Sequence, residues 1–156
     1  MITAVDTNVL LDLLIPDQAH SFRSKQWLED SLEKGPLILC EAVFAELSSQ
    51  FPSERELADF LSETGIRLVP TGREALYMAG RRWREYARKK ERKIQCSHCG
   101  ERIEIHCATC GQPVTFRDRI LNDFSIGAHA LLHADLLLTR DRGFYRSYFK
   151  ELRISV

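Results

Sequence analysis

A chain of 156 residues that is 44% hydrophobic has room for one compact domain with its own core and little besides. No stretch approaches the roughly 18 uninterrupted apolar residues of a membrane span, and the opening Met-Ile-Thr-Ala-Val-Asp lacks the basic-then-apolar pattern of a secretion leader. A soluble cytoplasmic protein is expected, with no membrane partner. The 22 basic and 22 acidic side chains cancel, but residues 81–93 hold eight basic against two acidic, a local charge of +6 that leaves −6 elsewhere. Such asymmetry fits a surface that attracts a polyanion, beside an acidic centre that needs cations.

In chain order, residues 2–5 read as a short strand ending at Asp6. Leu10-Leu11 and Leu13-Leu14 then recur at helical spacing until Pro16. A helix is expected over 20–33, broken by Gly35-Pro36 before a second strand at 37–40. Helices at 41–50 and 54–63 are separated by Pro52-Ser53, with Ser53 as N-cap. Gly65 closes the latter, and residues 66–69 form a third strand. From Thr71 a long helix carries Leu76, Ala79, Trp83 and Ala87 as its apolar stripe. Cysteine pairs interrupt the pattern over about 95–113. Helical spacing resumes with Ile120, Phe124, Ala128 and Leu131; residues 136–139 make a fourth strand and 152–156 a fifth. Apolar runs alternating with helices, with few hairpin signals, predict a three-layer α/β/α sandwich around a mainly parallel sheet of four to five strands. Ligand sites of such sheets gather beyond the carboxyl ends of the strands.

Four carboxylates fall where that rim should be. Asp6 follows strand one and Asp141 follows strand four. Asp123 lies on the helix before strand four, sharing a face with Ile120 and Gly127, and Glu46 sits between Ala45 and Leu47 on the helix after strand two. Each has a plainer job available: Asp6 as a helix cap, Glu46 as a solvated helix residue, Asp123 as a local hydrogen-bonder, Asp141 as the start of a turn. Together they would be costly without a compensating cation, and oxygen-only ligands of this kind suit Mg²⁺ or Mn²⁺. Asp12, Asp118 and Asp135 are acidic neighbours without an assignment, Asp118 being the stand-in for Asp123. His129 falls off the face of Asp123 and reads as packed or superficial; His20 and His133 gain no role from spacing.

Asp-Thr-Asn-Val-Leu-Leu-Asp-Leu-Leu at 6–14 resembles the opening signature of PIN-domain nucleases, VapC-type toxins in particular. Glu46-Leu47, Asp123 with Ile126-Gly127-Ala128-His129-Ala130, and Thr139-Arg140-Asp141 match later blocks of that family in order. The resemblance spans 1–94 and 114–156. It implies a metal-dependent endoribonuclease in which Asp6, Glu46, Asp123 and Asp141 hold one or two Mg²⁺ or Mn²⁺ ions, while Thr7, Asn8 and Thr139 line the pocket. Hydrolysis of a phosphodiester needs a nucleophile at neutral pH and neutralised charge in the transition state, which a bound divalent cation supplies. Products with 5′-phosphate and 3′-hydroxyl ends are implied. So are RNA as substrate, an antitoxin or a ribosomal or RNA-processing partner, and a homodimer.

Cys96-x2-Cys99-x7-Cys107-x2-Cys110 pairs two knuckles, each followed by a glycine (Gly100, Gly111), and predicts one structural Zn²⁺ closed by four thiolates. His98 and His106 are read as solvent-facing. The knuckles make residues 95–113 a zinc-ribbon insertion within the PIN-like domain; PIN endonucleases of ribosome maturation also carry a ribbon, but after the domain. Arg81, Arg84, Arg88 and Lys89 on the basic helix are candidates for RNA phosphate contacts, against a merely solvated face. Trp83 is expected in the core, Tyr86 on either side, and Cys40 as a small buried side chain. Two other readings stay open on these residues: a structure-specific DNA nuclease, and a non-catalytic RNA- or protein-binding module using the ribbon and the basic helix.

Overall fold

The computed structural model describes residues 1–15, 20–89, 94–95, 102–113 and 121–155. Its elements run β1 (Thr3–Val5), α1 (Thr7–Leu14), α2 (Ser21–Lys34), β2 (Leu37–Leu39), α3 (Glu41–Ser48), α4 (Glu54–Thr64), β3 (Ile66–Leu68), α5 (Gly72–Lys89), β4 (Ile94–Gln95), β5 (Arg102–Ile103), α6 (Leu121–His133), β6 (Leu136–Leu138) and α7 (Arg142–Tyr148). Four strands form one parallel sheet in the order β3-β2-β1-β6. All three residues of β1 and of β2 are buried, as expected of central strands covered by helices on both faces. Edge strand β3 buries only Ile66. The expected sandwich is therefore present, with its four strand ends on one rim.

Local chemistry explains several boundaries. Ser53 caps α4 reciprocally: its Oγ accepts from the Glu56 N–H at 3.3 Å and donates to Glu56 Oε1 at 3.0 Å. Gly65 ends that helix with a left-handed φ of 66°. Of the residues expected as a fifth strand, the described ones, 152–155, make one parallel bridge, Leu137 with Ile154. Two backbone bonds, Leu137 N–H to Arg153 C=O and Ser155 N–H to Leu137 C=O, both 2.9 Å, dock the tail on the β6 edge without extending into a ladder.

The apolar face of α5 is not the expected one. Ala75 and Ala79 are buried, while Leu76 and Trp83 are 56% and 40% exposed and Ala87 faces solvent. The inward stripe is Ala75, Ala79, Arg82 and Tyr86, rotated about a fifth of a turn or more from the expected one. Two alanines let α5 approach α6 closely, and Tyr86 reaches Phe124, ring centroids 5.9 Å apart. Arg82 serves packing: its guanidinium lies 4.5 Å over Phe149, pairs with Glu151 at 3.0 Å and donates to the Tyr148 carbonyl. On α6, Gly127 is required by contact, because a Cβ there would stand 2.5 Å from the Phe149 ring.

In the described part of the insertion, β4 and β5 pair antiparallel and His106 bridges Pro113, apart from the main sheet. No helix among the described residues is long and apolar enough to cross a membrane.

Candidate active site

Parallel strands deliver their following residues to one edge, and Asp6 and Thr139 arrive there side by side from β1 and β6. The Thr139 hydroxyl donates to Asp6 Oδ2 at 2.6 Å, and the Asn8 amide donates to the same oxygen at 2.6 Å and to Thr139 Oγ1 at 3.2 Å. Asp6 occupies the N-cap position of α1, yet makes no side-chain capping bond. Burial pushes its pKa up to about 6; the bonds from Thr139, the Thr7 amide and Asn8 pull it down, and the charge of Glu46 pushes it up again.

Glu46 is not a solvated helix residue. It is half-buried, accepts from the Thr7 hydroxyl, and accepts from the Asn122 amide at 2.8 Å. Thr7 thus ties α1 to α3, and Asn122 ties α3 to the first turn of α6. Asp123 follows Asn122. Its pKa is pushed up to about 6 by burial and then by the negative charges of Asp6, Glu46 and Asp141. Those repulsions place the four acids in one neighbourhood. Asp141 also caps α7, Oδ1 accepting from the Phe144 N–H at 3.0 Å.

No described Lys or Arg forms an ion pair with any of the four. Other acids of the region are accounted for. Asp12 is buried, paired with Arg140 Nε at 3.1 Å and bonded by the Ser24 hydroxyl at 2.6 Å. Asp135 accepts the Ile2 N–H at 2.7 Å. Asp118 lies outside the described residues.

Among the described residues no three His, Cys, Asp or Glu side chains already meet as a metal-ligand set. The donors nonetheless fit a hard cation in kind: they are carboxylate oxygens, and no described Lys or Arg is paired with them. An open arrangement of this sort suits Mg²⁺, which keeps several waters and takes few protein ligands. One further polar atom lies within electrostatic reach of the acids. The Tyr145 hydroxyl is buried without a described hydrogen-bond partner, and its pKa is driven far up by burial and by the charges of Asp6, Asp123 and Asp141, so it stays an O–H donor.

No described histidine is hydrogen-bonded to the four acids. His129 is buried, bonded through Nε2 to the Val69 carbonyl at 3.0 Å, and its pKa is lowered to about 4 by burial and by His133. Cys40, capping α3 by position, is buried with its thiol pKa raised by that burial. Sequence reasoning missed Asn122 and Tyr145; adjacency to Asp123 was the only available signal for Asn122, and Tyr145 had none.

Of the expected zinc ligands, Cys96 and Cys99 lie outside the described residues. Cys107 and Cys110 are free thiols on one tight turn, in which the Gly111 N–H donates to the Cys107 carbonyl at 2.8 Å and Gly111 adopts φ 69°. Nearby backbone amides of Cys110 and Thr109 lower the Cys107 pKa. Arg81, Arg84 and Arg88 are exposed on the side of α5 turned from α6; the Lys89 side chain lies outside the described set.

Among curated proteins none matches the sequence. Solved structures similar to the chain include VapBC2 from Rickettsia felis bound to a DNA fragment from its promoter (17% identity, TM-score 0.61, covering 99% of this chain and 98% of that one). DNA-bound VapBC from Salmonella typhimurium is similar at 17% identity and TM-score 0.55, covering 99% and 97%. FitAB bound to an IR36 DNA fragment is similar at 21% and 0.55, covering 99% and 94%. These likenesses concern the fold. The PIN domain profile matches residues 3–150, nearly the whole sequence, and the chain belongs to the PIN domain family.

Proposed function

We propose that the chain is a divalent-metal-dependent endoribonuclease hydrolysing RNA phosphodiester bonds at the rim where Asp6, Glu46, Asp123 and Asp141 gather. The observation that carries this reading is that four carboxylates from separate elements share one neighbourhood with no described cationic side chain paired to them. A binding module gains nothing from such confinement. A bound Mg²⁺ or Mn²⁺ would supply charge neutralisation at the phosphate and a nucleophile at neutral pH. The four acids would hold it. Thr139 and Asn8 fix the carboxylate of Asp6, and Thr7 and Asn122 fix that of Glu46, so the donors are oriented before substrate arrives. Tyr145 keeps its proton, a buried donor within electrostatic reach of three of the acids. Exposed Arg81, Arg84 and Arg88 add sequence-independent attraction for the RNA backbone.

Likeness to VapBC and FitAB complexes supports a toxin restrained by an antitoxin partner over a free-standing RNA-processing enzyme. The insertion at 95–113 is proposed as a zinc ribbon held by Cys96, Cys99, Cys107 and Cys110. The tight turn carrying Cys107 and Cys110, with its amides favouring thiolate, supports that assignment.

The test is incubation with single-stranded and structured RNAs in Mg²⁺ or Mn²⁺, comparing wild type with Asp6→Asn and Asp123→Asn. Cleavage to 5′-phosphate and 3′-hydroxyl ends, abolished in both variants, is expected; cleavage surviving both discards the site. Elemental analysis is expected to find one zinc per chain, lost on changing Cys96 and Cys107 to Ser.

A further inference from the structure

Arg140 stands in the turn between β6 and α7, flanked by Thr139 and Asp141, and touches α1 at two points one helical turn apart. Its backbone N–H donates to Asn8 Oδ1 at 3.0 Å, and its Nε lies 3.1 Å from Asp12 Oδ2. Asn8 and Asp12, four residues apart, share a face of α1. Asp12 is buried, and the Ser24 hydroxyl of α2 donates to the same Oδ2 at 2.6 Å.

The turn is tight. The Arg142 N–H donates to the Arg140 carbonyl at 3.0 Å around Asp141, whose φ of −83° and ψ of 70° are those of an inverse γ-turn. From Arg140 two short chains of hydrogen bonds lead to Asp6. One runs through Asn8, whose amide donates to Asp6 Oδ2 at 2.6 Å. The other runs through Thr139, whose hydroxyl donates to that oxygen at 2.6 Å and accepts from the Asp141 N–H at 3.0 Å. An arginine so placed is a hazard to a cation site, because its long side chain starts one residue from Asp141 and one bridging amide from Asp6. Its guanidinium is nonetheless paired with Asp12 and with none of the four rim acids.

We propose that Asp12 is a positioning residue for the acidic rim: by holding the Arg140 guanidinium it keeps that cation off Asp6 and Asp141, and it latches the turn carrying Thr139 and Asp141 to α1. The inference rests on the reading of the rim as a divalent-cation site, and gives Asp12 a part in it without making Asp12 a ligand. Burying such a pair is a poor source of stability, since desolvation offsets the attraction. What the pair supplies is direction. A guanidinium N–H aimed at one fixed oxygen holds the turn in one register, where an apolar contact would let it slide.

The test uses the full chain, with Mn²⁺ affinity read by titration and backbone amide exchange read in the metal-free protein. Asp12→Asn keeps the size of the side chain and removes the charge that holds Arg140. It is expected to weaken Mn²⁺ binding at least tenfold, as loss of an outer partner of a metal site does. Adding Arg140→Gln removes the released cation and leaves two amides able to bond each other. That double variant is expected to recover half or more of the loss on a logarithmic scale. Leu57→Ala lowers stability from a buried position on α4, beside the far edge strand β3, and is expected to leave Mn²⁺ affinity within twofold of wild type. In the metal-free protein, Asp12→Asn is expected to speed exchange of the Arg140 and Asp141 amides at least tenfold relative to those of β1 and β2.

Mn²⁺ affinity unchanged in Asp12→Asn, or weakened no further than in Leu57→Ala, overturns the positioning role. So does a double variant that binds as weakly as Asp12→Asn. A wild type that binds no Mn²⁺ sinks the cation reading of the rim, and amide exchange then decides the latch by itself. Arg140 and Asp141 amides as protected in Asp12→Asn as in wild type overturn it; their loss of protection keeps it.

Discussion

Thr139 donates its hydroxyl to Asp6 Oδ2 at 2.6 Å across the ends of two neighbouring parallel strands, joining residues 133 positions apart. Replacing it with Val keeps the shape and removes the bond. Asp6 is then without its largest charge-stabilising hydrogen bond, so its pKa is expected to rise above about 6 and cleavage to fall roughly 10–100-fold, while the fold is retained. Carboxyl titration by NMR and single-turnover cleavage check both parts.

Asp123→Asn should separate activity from stability. In the metal-free protein the folded pKa of about 6 exceeds the ordinary 3.8 because confinement penalises the charged form. That penalty is fully present above the folded pKa and absent below the unfolded one, so in the metal-free wild type this residue's contribution to stability rises as pH falls from 7 toward 4. The variant escapes it. After discounting for partial exposure, about 1 kcal/mol, or roughly 3 °C at the midpoint, is the gain expected at pH 7, with cleavage lost. Mg²⁺ should raise the wild-type midpoint and leave that of the variant nearly fixed. Thermal melts with and without Mg²⁺ decide it.

Gly127→Ala tests how α6 is seated. The added methyl meets the Phe149 ring at 2.5 Å, and both partners are buried. Overpacking of this kind costs roughly 1–3 kcal/mol, so urea unfolding should show a lower midpoint at an unchanged slope.

His129 sets an acid limit of its own. Its folded pKa of about 4 lies below the ordinary 6.5, so its stability penalty is absent above the unfolded value and grows as pH falls toward 4. His133 adds to the depression; Glu41 and the Val69 carbonyl oppose it. His129→Gln keeps a donor for Val69 without a titration. Measured as a difference, in which the opposite pH response of Asp6 and Asp123 cancels, wild type should lose at most roughly 3 kcal/mol relative to the variant between pH 6.5 and 4. Parallel denaturation curves at pH 4 and 7 would expose any departure.

The four strands of the main sheet and the place of Asp6 at its rim were legible because both follow from period and adjacency: an apolar run, then an aspartate. The face of α5 was not. Leu76 and Trp83 outweigh two alanines in any hydrophobicity count, yet close approach of α5 to α6 favours the small side chains. Asn122 and Tyr145 escaped notice because their roles depend on Glu46 and on three acids distant in sequence. The same holds for Asp12 with Arg140, which reads as two unrelated charges until α1 and the end of β6 are brought together.

The rings of Phe124 and Phe144 meet edge to face, centroids 5.0 Å apart, and each belongs to the helical turn that carries Asp123 or is capped by Asp141. The turn that carries Asp123 and the turn capped by Asp141 are therefore keyed to each other through aromatic packing. A change of ring size there would shift one turn against the other while every acidic position stayed untouched.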